Sequence, residues 1–274
     1  MKAATTALLR LLALVVVCLI ALQLTFVARV ALMIAVDPQS TTFQRSEACR
    51  LLSEKHRLLW SQQWVPYERI SANLKRAVIA SEDAGFTEHS GVEWDALEKA
   101  WDRNQQAEAR VEKINARIER QPPKAASTRP AANPATGTPA NASAKPAARA
   151  TPKVVGGSTI TQQLAKNLFL GGERTLLRKA QEFTVTFMLE ALLTKQRILE
   201  IYLNNVEWGE GVFGAEAAAT HYFHVSANAL GTMQAAQLAV MLPAPKRFEK
   251  RPSSGYVLGR AATVSARMGA VELP

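Results

Sequence analysis

Cysteine is scarce: two stand in 274 residues, Cys18 inside an apolar run and Cys49 outside it. With a single thiol outside that run, no internal disulfide can brace the remainder, and stability has to come from packing. No serine is followed three residues later by lysine, which excludes the Ser-x-x-Lys nucleophile signature. His221 and His224 in "HYFH" have no acid or cysteine at a spacing that would complete a metal set, and packing is their simpler role. Strand-like alternation is sparse and no repeat recurs. These absences leave a mainly α-helical chain whose chemistry rests on carboxylates, amides and basic side chains.

One long apolar run is present. "LLALVVVCLIALQLTFVA", residues 11–28, carries no charge and as a helix rises roughly 27 Å, close to a bilayer core of about 30 Å. Apolar character resumes after Arg29 to Val36, so the anchor is drawn over 11–36 with Arg29 snorkelling. A cleaved leader is the rival, but leaders have shorter apolar regions closed by a small-x-small site. Lys2 and Arg10 precede the run. The positive-inside rule then keeps residues 1–10 cytoplasmic and exports the bulk of the chain.

The net charge of +10 invites a nucleic-acid reading. However, residues 103–153 hold ten basic and three acidic side chains, so most of the excess sits in one segment and the remainder is near neutral. Residues 37–64 read as a connector, and 65–274 as a domain interrupted at 105–152. That interruption is rich in Ala, Pro, Ser and Thr beyond residue 121, lacks bulky apolar groups there, and reads as disordered. Order returns at Val154, with one long helix expected from Leu176 to Asn204.

The first chemical signal is "AVIASEDAGFTEHSG". Ile70, Leu74 and Val78 recur every four residues, and the next position in that series is Glu82. The carboxylate therefore projects from the buried side at the helix end, where desolvation raises its pKa into the range of a general base. Asp83 points elsewhere, and Phe86 and His89 are placed as pocket walls.

In "GGSTITQQLAKNLFL", Ser158 or Thr159 caps a helix after two glycines. Ile160, Leu164 and Leu168 form its apolar stripe, while Thr159, Gln162, Gln163 and Lys166 form a second, hydrogen-bonding stripe. Uncharged amides with one lysine near a helix N-terminus suit a phosphate- or sugar-bearing ligand. In "RTLLRKAQEF", Arg178 and Lys179 precede Glu182 by four and three residues. The plain reading is an exposed helical ion pair. Glu182 nevertheless shares a face with Val185, Thr186 and Leu189, which leans it toward the packed side.

Taken in order, "EDAGFTEHSG", "GGSTITQQLAKN", "RKAQE" with "KQRILEIYLN", "EWGEGVFGAEAAATHYF" and "QLAVMLPAP" resemble the five successive motifs of the peptidoglycan glycosyltransferases. The resemblance implies an α-helical, lysozyme-like domain with a small membrane-associated jaw lobe. It implies that lipid II is polymerised at the outer face of the inner (cytoplasmic) membrane from a periplasmic domain. In that chemistry a GlcNAc 4-hydroxyl attacks MurNAc C1 with inversion and expels undecaprenyl diphosphate. By resemblance Glu82 is the general base and Glu182 the second essential acid. Lys166, Arg174 and Lys179, with Arg178 beside them, hold the diphosphate; Thr159, Gln162, Gln163 and Asn167, with Ser158 and Asp83, are neighbouring contacts. No cofactor is required in principle, and a divalent cation (Mg or Mn) on the diphosphate, with Asp83, stays open. Moenomycin is expected to occupy the donor site.

One departure stands out, because the family joins its first two motifs by a short segment where this chain carries the basic insertion. It leaves open how the jaw lobe meets the membrane and which division or wall-synthesis proteins the loop recruits. Two alternatives remain at this stage: a lysozyme-like lytic enzyme using Glu82 as an acid, and a non-catalytic scaffold of wall synthesis.

Overall fold

Helices account for nearly all regular structure in the computed structural model, which describes residues 2–120, 157–173 and 175–274. Helix α1 (Lys2–Leu32) is longer at its start than the expected anchor, taking in Arg10, and ends four residues sooner than Val36. Residues Thr5–Leu32 are long and apolar enough to cross a membrane. The last turns of α1 belong to the domain: Val30 and Met33, just past the helix, are buried in its core. Arg29 does not stretch away from the protein. Its guanidinium lies over the Phe169 ring, 4.8 Å from the centroid, and Phe26 meets the same ring edge-on.

The segment read as a connector contains α2 (Thr42–Lys55), opened by a capping box in which Thr41 accepts from Gln44 N and the Gln44 side chain accepts from Thr41 N. Gln44, Glu47 and Leu51 are buried, so this stretch packs as part of the domain. Helix α3 (Ala72–Glu82) begins at Ser71, whose hydroxyl accepts from Asn73 N. It buries Leu74 and Val78 as the four-residue spacing requires.

Helix α5 (Ile160–Phe169) packs against α6 (Leu176–Leu192), α7 (Lys195–Asn205) and α2. The single long helix expected over Leu176–Asn204 is in fact α6 and α7. Thr194 ends the continuity by capping α7, its hydroxyl accepting from Arg197 N, and Leu193 turns extended and buried between them.

Short strands β1 (Ser61–Gln62), β2 (Glu207–Gly209) and β3 (Val212–Phe213) form one small sheet in the order β1-β3-β2, parallel then antiparallel. The β2–β3 turn needs glycine at 211. Its φ is +75°, and a Cβ there would lie 2.0 Å from Leu59 O, a distance no side chain tolerates.

Asn204 ties this region together from inside, accepting from Val65 N and donating to Val65 O, each at 2.9 Å. Helices α8 (Ala215–Phe223), α9 (Thr232–Met241), α10 (Pro245–Phe248) and α11 (Gly255–Arg267) complete the domain, with α3 packed on α9 and α11.

Residues 94–157 form a second unit. Its helix α4 (Trp94–Arg120) runs well into the segment expected to be disordered from 105, so 105–120 is corrected to helix. Its charged residues alternate with Val111, Ile114 and Ile118, enough for an amphipathic helix. The disorder expected for 121–152, and Arg174, lie outside the described residues.

Candidate active site

Glu82 is the last residue of α3, and Asp83 follows it as the helix cap. The two carboxylates have different fates. Asp83 is buried: its Oδ2 accepts from Ile160 N at 2.9 Å and its Oδ1 meets His89 Nε2 at 2.7 Å. Gly91 N donates to His89 Nδ1, so the imidazole proton sits on Nε2 and is donated to Asp83. Asp83 thereby clamps the end of α3 to the start of α5.

Asp83, His89 and Glu93 bring potential ligand atoms within 4.8 Å of one another, but bonds within the fold already engage both Asp83 oxygens and both His89 nitrogens. A cation at Asp83 would share its oxygens with those bonds, since each carboxylate oxygen keeps a second lone pair. Phe86, expected as a pocket wall, is instead fully buried in the core, with Lys195 Nζ 4.6 Å from its ring centroid.

Glu82 is held differently. Its Oε2 accepts from Gln163 Nε2 at 3.0 Å, and Tyr202 Oη donates to Gln163 Oε1 at 2.9 Å. Burial pushes the Glu82 carboxyl above its ordinary pKa; the Gln163 bond opposes this and the neighbouring Asp83 charge adds to it. A half-buried acid with a raised pKa is what a proton acceptor near neutral pH requires.

The N-terminus of α5 shows which hydrogen-bonding residues belong to the scaffold. Thr159 caps it, accepting from Gln162 N and donating to Gly91 O, while the Gln162 side chain accepts from Thr159 N. Both are buried, and these bonds close the capping box. Ser158 is exposed just before it.

Gln163, Lys166 and Asn167, one turn further on, line a cleft of about 530 Å³ together with Arg178. That volume is in the range of small-molecule sites. Lys166 is an exposed residue, yet the protein around its ammonium partly desolvates it. This desolvation lowers its pKa, the Glu182 charge opposing.

Glu182 is buried on α6 and receives Arg178 Nη1 at 3.0 Å and Lys179 Nζ in a short contact. The plain reading of this set as an exposed helical pair fails on that burial. Arg178 Nε is left buried without a hydrogen-bond partner. Gln163 and Arg178, which bond Glu82 and Glu182 respectively, thus line one cleft, while the two acids stand behind them.

The sequence reading missed some of this. Phe43 and Ser46 of α2, Glu207 of β2, and Leu242 and Pro245 also line the cleft. Tyr202, which fixes the Gln163 amide, carries no mark in the sequence that sets it apart from a core residue. Glu207 carried one faint signal, an acid set directly between Val206 and Trp208.

Residues 52–113 and 139–269 match the family model described as Transglycosylase. Among curated proteins, the chain is 46% identical over 256 residues to the biosynthetic peptidoglycan transglycosylase of Burkholderia thailandensis, covering 93% of this chain and 83% of that one. It is 45% identical over 238 residues to the protein of the same name from Bordetella pertussis, covering 87% and 82%. With that of Paraburkholderia xenovorans it shares 44% over 263 residues, covering 96% and 91%.

Proposed function

This chain belongs to the transglycosylase family, and from that premise we propose that it polymerises peptidoglycan glycan strands from lipid II. The acceptor's GlcNAc 4-hydroxyl attacks C1 of the donor's MurNAc. Glu82 takes the hydroxyl proton, and the bond from C1 to undecaprenyl diphosphate breaks with inversion. The observation that carries this reading is the placing of Glu82, desolvated and bonded to Gln163, beside a cleft with Lys166 and Arg178 in its walls. A hydroxyl needs a base of raised pKa, and a departing diphosphate needs positive charge already in position.

Glu182 anchors that charge. Buried between Arg178 and Lys179, it fixes both cations and leaves Arg178 Nε and Lys166 for the diphosphate oxygens. Preorganised donors of this kind stabilise the leaving group without rearrangement during the reaction. Arg174 completes the cationic set by family likeness.

Helix α1 serves as a single-pass anchor, with the N-terminus in the cytoplasm and the domain at the outer face of the inner membrane. A substrate whose lipid tail stays in the bilayer is then met where it resides. The test is turnover of lipid II by the full-length protein in detergent, with Glu82→Gln beside it. Wild type is expected to yield long glycan and lipid diphosphate, and the variant to fold normally and make none. Normal polymer from Glu82→Gln would remove Glu82 from the base role.

A further inference from the structure

Among the described residues, two buried side-chain atoms lack a hydrogen-bond partner: Arg178 Nε and Glu207 Oε1. Both residues line the same cleft. They are of opposite polarity, one a donor without an acceptor and the other an acceptor without a donor. An unmade hydrogen bond at a buried polar atom is costly, and a native fold that keeps one calls for an explanation.

Within the fold Glu207 Oε1 has an ion-pair neighbour, Lys246, but no hydrogen bond. The Glu207 side chain is 7% exposed. Lys246 Nζ lies 3.5 Å from Oε1, at ion-pair distance, but its short bond, 2.6 Å, goes to Glu47 Oε1. Glu47 is in turn held by Arg50 through two further bonds. The short bonds of the cluster converge on Glu47, and Glu207, without one, lines the cleft.

The chemistry of the substrate sorts the two atoms. A diphosphate offers only acceptors; it satisfies Arg178 and would be repelled by Glu207. Ring hydroxyls and acetamido N–H groups are donors, so they fit the carboxylate. We propose that Glu207 recognises the sugar portion of the lipid-linked substrate, its Oε1 accepting a hydrogen bond from a hydroxyl or acetamido N–H near the diphosphate held by Arg178 and Lys166. This inference rests on reading the cleft as the lipid II site. It gives a cationic cleft a reason to carry an acid: one wall reads the phosphates, the other the sugar.

The test compares two probes on the full-length protein in detergent. Lipid II carries the sugars, and undecaprenyl diphosphate carries the same lipid and diphosphate without them. Glu207→Leu is expected to raise the KM for lipid II about 10- to 100-fold, the range for losing one hydrogen bond to a charged group. Inhibition by undecaprenyl diphosphate is expected to stay unchanged. Glu207→Gln, which keeps an acceptor of the same size, should fall between wild type and Leu.

Equal weakening of both probes would make Glu207 a structural residue and overturn the proposal, as would an unchanged lipid II KM in both variants. If Glu207→Leu shows no cooperative thermal transition, the ratio of the two probes measured on Glu207→Gln decides. Wild-type protein that neither binds nor turns over lipid II would overturn the proposed function and this inference with it. An active wild type with unaffected variants overturns this inference alone.

Discussion

Gln163 donates its side-chain amide to Glu82 at 3.0 Å, and that bond works against the burial surrounding the same carboxylate. Burial is the larger influence, so the Glu82 pKa is raised. A base acts when deprotonated, so kcat/KM is expected to fall on the acid side at a pH above the ordinary glutamate range of about 4.3. Gln163→Leu removes a bond that favours the ionised form. The acid limb should therefore move to still higher pH. A limb that stays in place, or moves down, would mean that another group controls it.

Asp83 gives the second prediction. Its two oxygens accept from Ile160 N and from His89 Nε2. In Asp83→Asn one oxygen becomes an NH₂ facing a donor, which leaves a buried N–H unpaired at a cost of about 1–3 kcal/mol. For a domain of this size, that lowers the thermal midpoint by about 2–4 °C per kcal/mol. At a temperature where the variant is folded, the KM for lipid II should match wild type. Full stability with a raised KM would return Asp83 to the substrate contacts.

How much of this was readable in advance depends on how far away each residue's partner lies. Glu82 was legible because Ile70, Leu74 and Val78 lie on its own helix and fix the buried face. The α5 cap was legible in part: the pattern offers Ser158 or Thr159, and Gln162, expected to face a ligand, instead closes the box with Thr159. Asp83 was not, because Ile160 is 77 positions away and nothing local announces it. Phe86 and His89 sit in a short irregular turn, where period carries no information about which side chains face inward. The division of α6 from α7 had a local signal in Thr194, a good capping residue, which the continuous apolar pattern on either side outweighed. Glu207 depended on Lys246 of α10 and Glu47 of α2 meeting beside β2, a tertiary event invisible to spacing.

Gly91 supplies a packing test that touches no ligand. Its φ is +85°, and a Cβ built there would lie 2.7 Å from Thr186 Cγ2 and 2.8 Å from Glu190 Cγ. Thr186 is fully buried and β-branched, so it has little room to turn aside. Gly91→Ala combines an unfavourable backbone region with a clash, and a loss of about 2 kcal/mol or more is expected. Thermal unfolding would show it. Unchanged stability would mean that the turn at 91 relaxes freely, and with it the carbonyl that accepts from Thr159.

The last prediction concerns stability against pH at Glu207. Burial raises its pKa from 4.5 to about 7, with Lys246 opposing and the charges of Glu47 and Glu249 adding to the rise. A carboxyl whose folded pKa is raised binds its proton more tightly folded than unfolded. Its stabilising contribution is complete below pH 4.5 and is lost as pH rises through 7. Above pH 7 the fold carries a desolvated charge at a cost of up to about 3 kcal/mol. Glu207→Gln carries no charge at any pH and escapes that loss. Its thermal midpoint relative to wild type should therefore climb between pH 4.5 and 8, whatever the offset from the substitution itself. A difference that stays flat across this window would mean that Lys246 neutralises Glu207 fully, and would remove the picture of a carboxylate oxygen waiting for a sugar.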